Sequence, residues 1–262
     1  MEQEPLVLQT QDARGVVTLT MNRPQQFNAL SEAMLEALQQ ALDRIAQDEQ
    51  VRCVVLAASG RAFCAGHDLK EMRAEPSTAY YERLFAQCAR FMLTLQRLPV
   101  PVVARVQGIA TAAGCQLVAQ CDLAVASSAA RFAVSGINLG LFCATPSVPL
   151  LRNLPRKQAF EMLVTGDFIS AEEALARGLV NRVAAPEALD EAVAALVDRI
   201  AAKPRVALAL GKALFYRQAE TGIEAAYEDA ARTMACNMMD PAALEGVQAF
   251  IEKRSPAWAA GH

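Results

Sequence analysis

Two glycine-containing segments could present backbone N–H groups to one ligand oxygen. In Ala65-Gly-His-Asp68, a turn follows a buried apolar run, and a Gly-flanked turn lets main-chain N–H groups point into a cleft. In Ala112-Ala-Gly-Cys115, small residues open a predicted helix, whose free N–H groups and positive dipole end favour an anion. Two N–H groups that converge on one oxygen form an oxyanion hole, and losing one donor costs about 10²–10³ in rate. Taken singly, each segment is better explained as an ordinary loop or a small-residue packing helix.

Both segments belong to a set of motifs that resembles the crotonase (enoyl-CoA hydratase/isomerase) family. The longest motifs are residues 60–72 and 106–122. The other landmarks, in the family's order, are Asn22-Arg-Pro24, Asn28-Ala-Leu30, Thr165-Gly166, Ser170-Ala-Glu-Glu-Ala174, Gly178-Leu-Val180 and residues 250–254. The resemblance covers essentially the whole chain. It implies an α/β crotonase (ClpP/crotonase-like) fold, with a ββα spiral core over residues 1–200 and a C-terminal helical oligomerisation segment over residues 201–262.

The resemblance also implies which residues form the site. The oxyanion donors would be the backbone N–H groups of His67 and Ala113, so the side chains at these two positions are free to vary. The segment His67-Asp68-Leu69-Lys70 would line the site for an acyl-CoA substrate, together with Ala113. CoA would take part only as a portion of the substrate, and no separate cofactor or metal is implied.

Four basic residues are candidates for contacts with the CoA phosphates. Lys70 follows the first oxyanion segment directly, Arg23 lies in the Asn22-Arg-Pro24 landmark, and Lys253 and Arg254 resemble a basic pair in the tail of the family. An ordinary surface charge explains Arg23 and Lys70 equally well. The tail pair could approach the phosphates of a neighbouring subunit, because the resemblance implies a homotrimer or a dimer of trimers. Apolar faces on helical segments 204–254 give weak physical support, since such faces are as often intramolecular core.

Two positions depart from the hydratases of this family, which use two glutamates to activate water and to deliver a proton. Here the first glutamate position is Gln116 and the second is Gly136. General acid–base catalysis of this kind contributes about 10²–10⁴-fold, and a neutral amide or a glycine cannot supply it. Gln116 can still hydrogen-bond to water or substrate, or it can satisfy nearby backbone. Gly136 leaves space that could admit water, a bulkier substrate or a substrate-borne acid, or it is simply a turn residue.

No replacement acid lies nearby, because residues 132–149 contain no Asp or Glu. This stretch most resembles the subgroup of enoyl-CoA hydratase domain-containing protein 3, which also lacks the glutamate pair. The remaining candidates are His67, Cys64, Cys115, Ser135, Asn138 and Cys143. His67 titrates near neutrality and could act as acid or base or contact CoA, but a role for its N–H alone is the better-supported alternative. Cys143 is better explained as a buried thiol, since no base or cation neighbours it in sequence.

Bulk composition excludes several classes of function. The 262 residues carry a net charge of −3 with the two signs mixed, which gives no electrostatic footprint for nucleic acid. Apolar runs are too short to span a membrane, for which about 20 residues are needed. The polar, acidic N-terminus lacks the features of a signal peptide or a presequence, and we therefore expect a cytoplasmic protein. Two histidines and scattered cysteines without a Cys-x-x-Cys pair argue against a metal site.

Apolar periodicity predicts the elements that must position these residues. It predicts strands at 6–9, 16–21, 51–57, 102–106, 123–126 and 131–134, and helices at 31–48, 79–98 and 113–120. Ser31 is a plausible N-cap, and Asp68 can cap a short helix at 69–73. The alternation favours βαβ units. After about residue 145 strand signals nearly vanish, and Ser170-Ala-Glu-Glu173 forms a capping-box pattern.

The sequence therefore predicts an acyl-CoA-binding enzyme, nominally an enoyl-CoA hydratase of the fatty-acid β-oxidation type. Two alternatives remain open because both glutamates are replaced. One is another acyl-CoA reaction, such as thioester hydrolysis or decarboxylation. The other is binding of acyl-CoA without catalysis. The missing carboxylates favour these alternatives, whereas the preserved oxyanion segments favour an enzyme over a scaffold.

Overall fold

The computed structural model describes residues 4–259. The strands are β1 (Val7–Gln11), β2 (Val16–Met21), β3 (Cys53–Ala58), β4 (Ala62–Cys64), β5 (Val102–Val106), β6 (Ile109–Thr111), β7 (Leu123–Ser127), β8 (Arg131–Ala133), β9 (Ile169–Ser170) and β10 (Arg182–Ala184). The helices are α1 (Glu32–Gln47), α2 (Leu69–Ala74), α3 (Thr78–Arg97), α4 (Ala113–Gln120), α5 (Ala144–Asn153), α6 (Arg156–Thr165), α7 (Ala171–Ala176), α8 (Leu189–Ala201), α9 (Arg205–Gln218), α10 (Ile223–Met238) and α11 (Pro241–Ile251).

The strands form two sheets between which the chain alternates. The larger sheet has the order β1-β2-β3-β5-β7-β10, and the smaller one has the order β4-β6-β8-β9. Only the pairs β1–β2 and β8–β9 are antiparallel. Strands β3, β5 and β7 of the larger sheet are each followed by a strand of the smaller sheet. Helices α2 and α3 then connect β4 to β5, and helix α4 connects β6 to β7. This is the ββα spiral expected from the sequence, and the prediction of fold class is confirmed.

Local apolar patterns and helix-capping residues explain why the predicted elements form. Strand β3 is buried at all six positions, as a central parallel strand must be. Helix α1 begins after Ser31, whose side chain accepts a hydrogen bond from the Met34 N–H. Helix α7 begins with the complete capping box of Ser170 and Glu173. The predicted boundaries agree with the observed ones within about two residues, and the short strands β4, β6, β9 and β10 are additional.

A largely buried polar cluster joins helix α9 to the core. The Lys212 Nζ on α9 donates to the Asp122 carboxylate at 2.6 Å and to the carbonyls of Leu95 and Val100. The Tyr216 hydroxyl donates to the other Asp122 oxygen at 2.7 Å. All three Lys212 protons therefore have acceptors, which compensates the ammonium group for its burial. The division at residue 200 and the trimer role of the later helices stay predictions.

Within the described residues, no helix combines the length and the apolar character that crossing a membrane requires. The tail helices nevertheless expose large apolar side chains, as expected for Phe215, Met234, Met238 and Met239. Phe250 on α11 is the most exposed of these helices' apolar side chains, at 84%.

Candidate functional site

The two oxyanion segments lie against each other at the ends of neighbouring strands. The first follows β4 and the second follows β6, and these strands are parallel neighbours. Gly66 makes the approach possible, because an added Cβ would lie 2.9 Å from the Ala112 Cβ and 3.3 Å from the Ala113 nitrogen. Gly66 also has φ +95°, which glycine adopts without strain. The two segments are thus in contact, and the convergence of their N–H groups on one oxygen stays a prediction.

The predicted donors are free to bind a ligand. Neither the His67 N–H nor the Ala113 N–H has a hydrogen-bond acceptor among residues 4–259. Ala113 is the first residue of α4, where an N–H has no partner within the helix. The preceding Ala112 has φ 51° and ψ −121°, a conformation that favours glycine. This strained residue sets the direction in which α4 starts, and no sequence pattern indicated it.

Two side-chain amides hold the turn that leads into the first oxyanion segment. The Asn28 Nδ2 donates to the carbonyls of Ser59 and Ala62 at 2.8 and 2.9 Å. The Gln107 Nε2 donates to Gly60 and Ala62 at 3.0 and 3.1 Å. Asn28 is fully buried, so its three hydrogen bonds, including one from the Arg23 N–H, are made away from water. These contacts fix the turn between β3 and β4, and therefore the position of His67.

A cavity of about 330 Å³ opens beside both donors. His67, Leu69 and Ala113 of the predicted site line it, and so do Ser135 and Gly136. Most of the remaining wall is apolar and comes from α2, α3 and the segment 139–146: Met72, Phe85, Leu139, Leu141, Phe142, Cys143, Thr145 and Pro146. No Asp, Glu, Lys or Arg of the described chain lines this cavity. Phe85 was not among the predicted site residues, because an apolar side chain on a helix face is as easily part of the core.

Several predicted site residues lie outside this lining. The Asp68 carboxylate accepts the N–H groups of Lys70 and Glu71 and so caps α2, as predicted. Lys70 is exposed, and the Arg23 guanidinium donates to the Ser31 hydroxyl at 3.2 Å. Their contacts with CoA phosphates stay predictions.

The tail basic pair lies on the exposed end of α11. The Arg254 guanidinium pairs with the carboxylates of Glu245 and Glu252, each at 2.6 Å. These pairs raise the pKa of Arg254 and hold the pKa of Glu245 at about 2. Lys253 is exposed. A phosphate contact by Arg254 would compete with these two carboxylates, and for both residues the CoA role stays a prediction.

The two glutamate positions differ in their surroundings. Gln116 lies one turn beyond Ala113 on the same side of α4, is 4% exposed, and its Oε1 has no hydrogen-bond partner among the described residues. The interpretation of Gly136 as open space is wrong. A Cβ there would lie 2.7 Å from the Cys143 Sγ and 2.9 Å from the Leu141 carbonyl oxygen. The segment after Gly136 folds back and fills the volume that a side chain would need.

The thiols near the cavity are poor nucleophiles at neutral pH. Burial raises the pKa of the Cys64 and Cys115 thiols to about 12. Burial also raises the pKa of Cys143, and its Sγ lies 3.5 Å from the Val134 carbonyl oxygen that accepts its proton. The interpretation of these cysteines as buried thiols agrees with this geometry.

The hydroxyl and imidazole groups have defined partners. The Ser135 and Thr111 hydroxyls lie 2.8 Å apart and bond to each other. The His67 Nδ1 lies 3.2 Å from the Leu30 carbonyl oxygen. Burial lowers the pKa of His67 below its usual range, against a smaller opposite effect of this hydrogen bond. His67 is therefore neutral at pH 7. Among residues 4–259, no three His, Cys, Asp or Glu side chains lie close enough to hold a metal ion.

Comparisons with known proteins agree with this architecture. The family model for enoyl-CoA hydratase/isomerase matches residues 11–261. The enoyl-CoA hydratase domain-containing protein 3, mitochondrial, of Rattus norvegicus is 43% identical over 98% of this chain and 86% of its own length. A solved Mycobacterium smegmatis enoyl-CoA hydratase is 72% identical, with a TM-score of 0.97 over 97% of this chain and 99% of that one.

A solved structure of human enoyl-CoA hydratase domain-containing protein 3 is 41% identical, with a TM-score of 0.94 over 97% of this chain and 100% of that one. The resemblance to this subgroup is thereby confirmed. The expectation of a cytoplasmic location is contradicted, because the rat protein and its vertebrate counterparts are named mitochondrial. The same fold serves in different compartments, so the composition of a few N-terminal residues is a poor guide to location.

Proposed function

Because this chain belongs to the enoyl-CoA hydratase/isomerase family, we propose that it binds acyl-CoA thioesters with the carbonyl oxygen between the N–H groups of His67 and Ala113. The observation that carries this proposal is the contact of Gly66 with Ala112 and Ala113, which brings two donors without acceptors to one wall of the cavity. Two such donors stabilise negative charge on the oxygen, as an enolate or as a tetrahedral intermediate.

The lining of the cavity supports an uncharged, apolar acyl group. Leu69, Phe85 and Leu141 are among the side chains that would contact it, and no charged side chain of the lining could pair with a carboxylate on the acyl chain. Burying an unpaired carboxylate among such residues is unfavourable by several kcal/mol or more. The apolar wall also excludes water, and this strengthens the two hydrogen bonds to the thioester oxygen.

The nominal reaction is the hydration of a trans-2-enoyl-CoA, as in fatty-acid β-oxidation. Gln116 stands at one glutamate position, and its neutral amide can orient a water molecule but cannot take its proton. At the other position, Gly136 is packed against Cys143 and supplies no acid. The alternatives are therefore thioester hydrolysis or decarboxylation, in which the same oxyanion hole stabilises the intermediate, and acyl-CoA binding without catalysis. Of these, decarboxylation is disfavoured by the uncharged lining, because its substrate carries a carboxylate on the acyl group. The free N–H pair favours an enzyme.

The CoA portion and the oligomer are further parts of the proposal. Exposed Lys70, next to the first oxyanion segment, and half-buried Arg23 would contact the phosphates. Lys253 and Arg254 would approach them from the tail, in the same or a neighbouring subunit. The exposed apolar side chains of α9 to α11, such as Phe215 and Phe250, would be covered in a homotrimer or a dimer of trimers.

The oxyanion hole is tested by a ligand pair that differs only in the carbonyl oxygen. Hexanoyl-CoA carries this oxygen, and the thioether hexyl-CoA lacks it. Two hydrogen bonds of about 0.5–1.5 kcal/mol each predict a preference for the thioester of about 5- to 150-fold in Kd. The measurement is isothermal titration calorimetry on the wild-type protein, which requires no variant. Equal affinities would exclude an oxyanion hole at this place.

Hydration is tested with trans-2-hexenoyl-CoA and mass analysis of the products. A gain of one water at a rate far above buffer supports the nominal reaction and shows that other groups replace the glutamates. Release of free CoA supports thioester hydrolysis instead. Recovery of bound, unchanged thioester supports binding without catalysis and removes the hydratase assignment.

A further inference from the structure

The imidazole of His67 is held in one orientation and one tautomer. Its Nδ1 lies 3.2 Å from the Leu30 carbonyl oxygen, which can only accept, so Nδ1 carries the proton. The Leu30 N–H in turn donates to the Gly66 carbonyl at 2.8 Å, and residues 30 and 67 form a parallel β-bridge. The ring and the oxyanion N–H of the same residue are therefore positioned by one short stretch of backbone.

The second ring nitrogen has no partner. The His67 Nε2 is buried and makes no hydrogen bond with any residue from 4 to 259. Since Nδ1 carries the proton, the neutral ring leaves a bare lone pair on Nε2. The ring packs edge-on against Phe85, with centroids 5.5 Å apart, and the side chain lines the cavity. Leaving an acceptor unsatisfied in such surroundings is unfavourable, and a proton taken from a ligand would satisfy it.

No other lining side chain can take a proton at neutral pH. The described lining contains no carboxylate and no lysine. Its other titratable group is the Cys143 thiol, whose proton is directed to the Val134 carbonyl. The Ser135 hydroxyl has a partner in Thr111 and no base beside it.

We propose that the His67 Nε2 is the catalytic base, which removes a proton from the α-carbon of the bound acyl-CoA thioester. The α-carbon–hydrogen bond breaks, and the proton joins the Nε2 lone pair. The electron pair forms a carbon–carbon double bond, while the carbonyl π pair moves onto the oxygen held by the N–H groups of His67 and Ala113. This inference rests on the proposed binding of a thioester in that hole.

The enolate can be protonated at two places by the same imidazolium. Return of a proton to the α-carbon restores the thioester, and it replaces the α-hydrogen by one from solvent when the imidazolium has first exchanged its proton with water. Return to the γ-carbon of a 3-enoyl thioester gives the 2-enoyl isomer. One base is sufficient for both reactions, and neither needs a co-reactant. The chemistry therefore matches a cavity that has one proton acceptor and lacks the glutamate pair.

The test follows deuterium uptake by hexanoyl-CoA in D₂O, by mass spectrometry, with isomerisation of 3-hexenoyl-CoA as a second reaction. His67→Asn keeps the backbone N–H and places an amide N–H where Nδ1 meets the Leu30 carbonyl, but it removes Nε2. We expect the variant to exchange deuterium about 10²-fold or more slowly than the wild type. The affinity for hexanoyl-CoA should stay within a few-fold. His262→Asn makes the same substitution at the other histidine of the chain and is the matched control.

Equal exchange by wild type and His67→Asn would overturn the proposal. So would a wild type that prefers the thioester over hexyl-CoA but exchanges no deuterium, and in that case the proposed binding function would stand. A wild type without this preference would instead refute the proposed function.

If His67→Asn does not fold, the tautomer still tests the inference. In the His262→Asn variant, ¹⁵N NMR of labelled histidine reports His67 alone. A protonated Nε2 at neutral pH, in the neutral ring or as imidazolium, would overturn the proposal.

Discussion

Replacing Gly136 with alanine is expected to lower the free energy of unfolding by about 1–3 kcal/mol, the usual cost of overpacking. The new Cβ would lie 2.7 Å from the Cys143 Sγ and 2.9 Å from the Leu141 carbonyl oxygen. Neither neighbour can withdraw freely. The Cys143 side chain is buried and bonded to Val134, and the Leu141 N–H is bonded to the Gly136 carbonyl at 3.0 Å. Gly136 does not have a positive φ, so the cost is steric.

A double-mutant cycle divides this cost between the two neighbours. Cys143→Ala removes the sulfur, and we expect about 1 kcal/mol of the Gly136→Ala effect to disappear in that background. The remainder belongs to the Leu141 carbonyl and should persist. Gly211→Ala is the matched control, since nothing lies within 4 Å of its added Cβ on α9. This control should gain about 0.5–1 kcal/mol, because alanine is the better helix former.

The assay is urea unfolding followed by circular dichroism, at one fixed protein concentration because subunit association shifts apparent stability. The reasoning is refuted if Gly136→Ala unfolds at the wild-type urea concentration, or if Cys143→Ala leaves its cost unchanged. The second outcome would mean that the Cys143 sulfur is not an obstacle, whereas the first would mean that the segment after Gly136 yields to a side chain. A glutamate could then be restored there, and Gln116→Glu with Gly136→Glu would become a reasonable route to a standard hydratase.

Three other predictions concern strain, charge and protonation. Ala112→Gly should raise the Tm by about 1–8 °C, since φ 51° and ψ −121° cost an alanine about 1–3 kcal/mol and the entropy of glycine offsets about 0.5–1 kcal/mol of this gain; a lower Tm would argue against strain. Lys212→Met leaves the Asp122 carboxylate buried without its cation, so urea unfolding should show a loss of about 3–5 kcal/mol, which Asp122→Asn in the same background should partly reverse. Burial lowers the pKa of folded His67, so stability should be complete above its unfolded value near 6.5 and decline as the pH falls below it. Melting from pH 7.5 to 5 should show a smaller decline in His67→Asn, and equal declines would contradict the assignment.

Much of the fold could be predicted from local signals. The apolar run of β3, the Ser31 cap and the Asp68 cap each depend on residues close together in sequence, and each forms as expected. The two oxyanion segments were singled out by their resemblance to the family's motifs, because each pattern of glycines and small residues taken singly is better explained as a loop or a packing helix. Their contact through Gly66 depends on β4 and β6 being parallel neighbours, which no local pattern specifies.

The rest of the site depends on tertiary packing. A glycine in sequence suggests free volume, but the volume at Gly136 is filled by Cys143, seven residues later, because the intervening segment turns back. The His67 side chain could not be assigned a role from sequence. Its tautomer is set by a backbone carbonyl 37 residues earlier, and the absence of a second partner is a property of the folded cavity.

The cluster around Asp122 constrains the order in which parts of this protein fold during synthesis on the ribosome. Asp122 belongs to the turn before β7, whereas the ammonium group that neutralises it lies 90 residues later. At 5–20 residues per second, synthesis of that interval takes roughly 5–20 s. During this time the carboxylate has no cation and must stay hydrated, so the nascent sheet cannot close over it. We expect the larger sheet to acquire its final packing only after Lys212 and Tyr216 have left the exit tunnel.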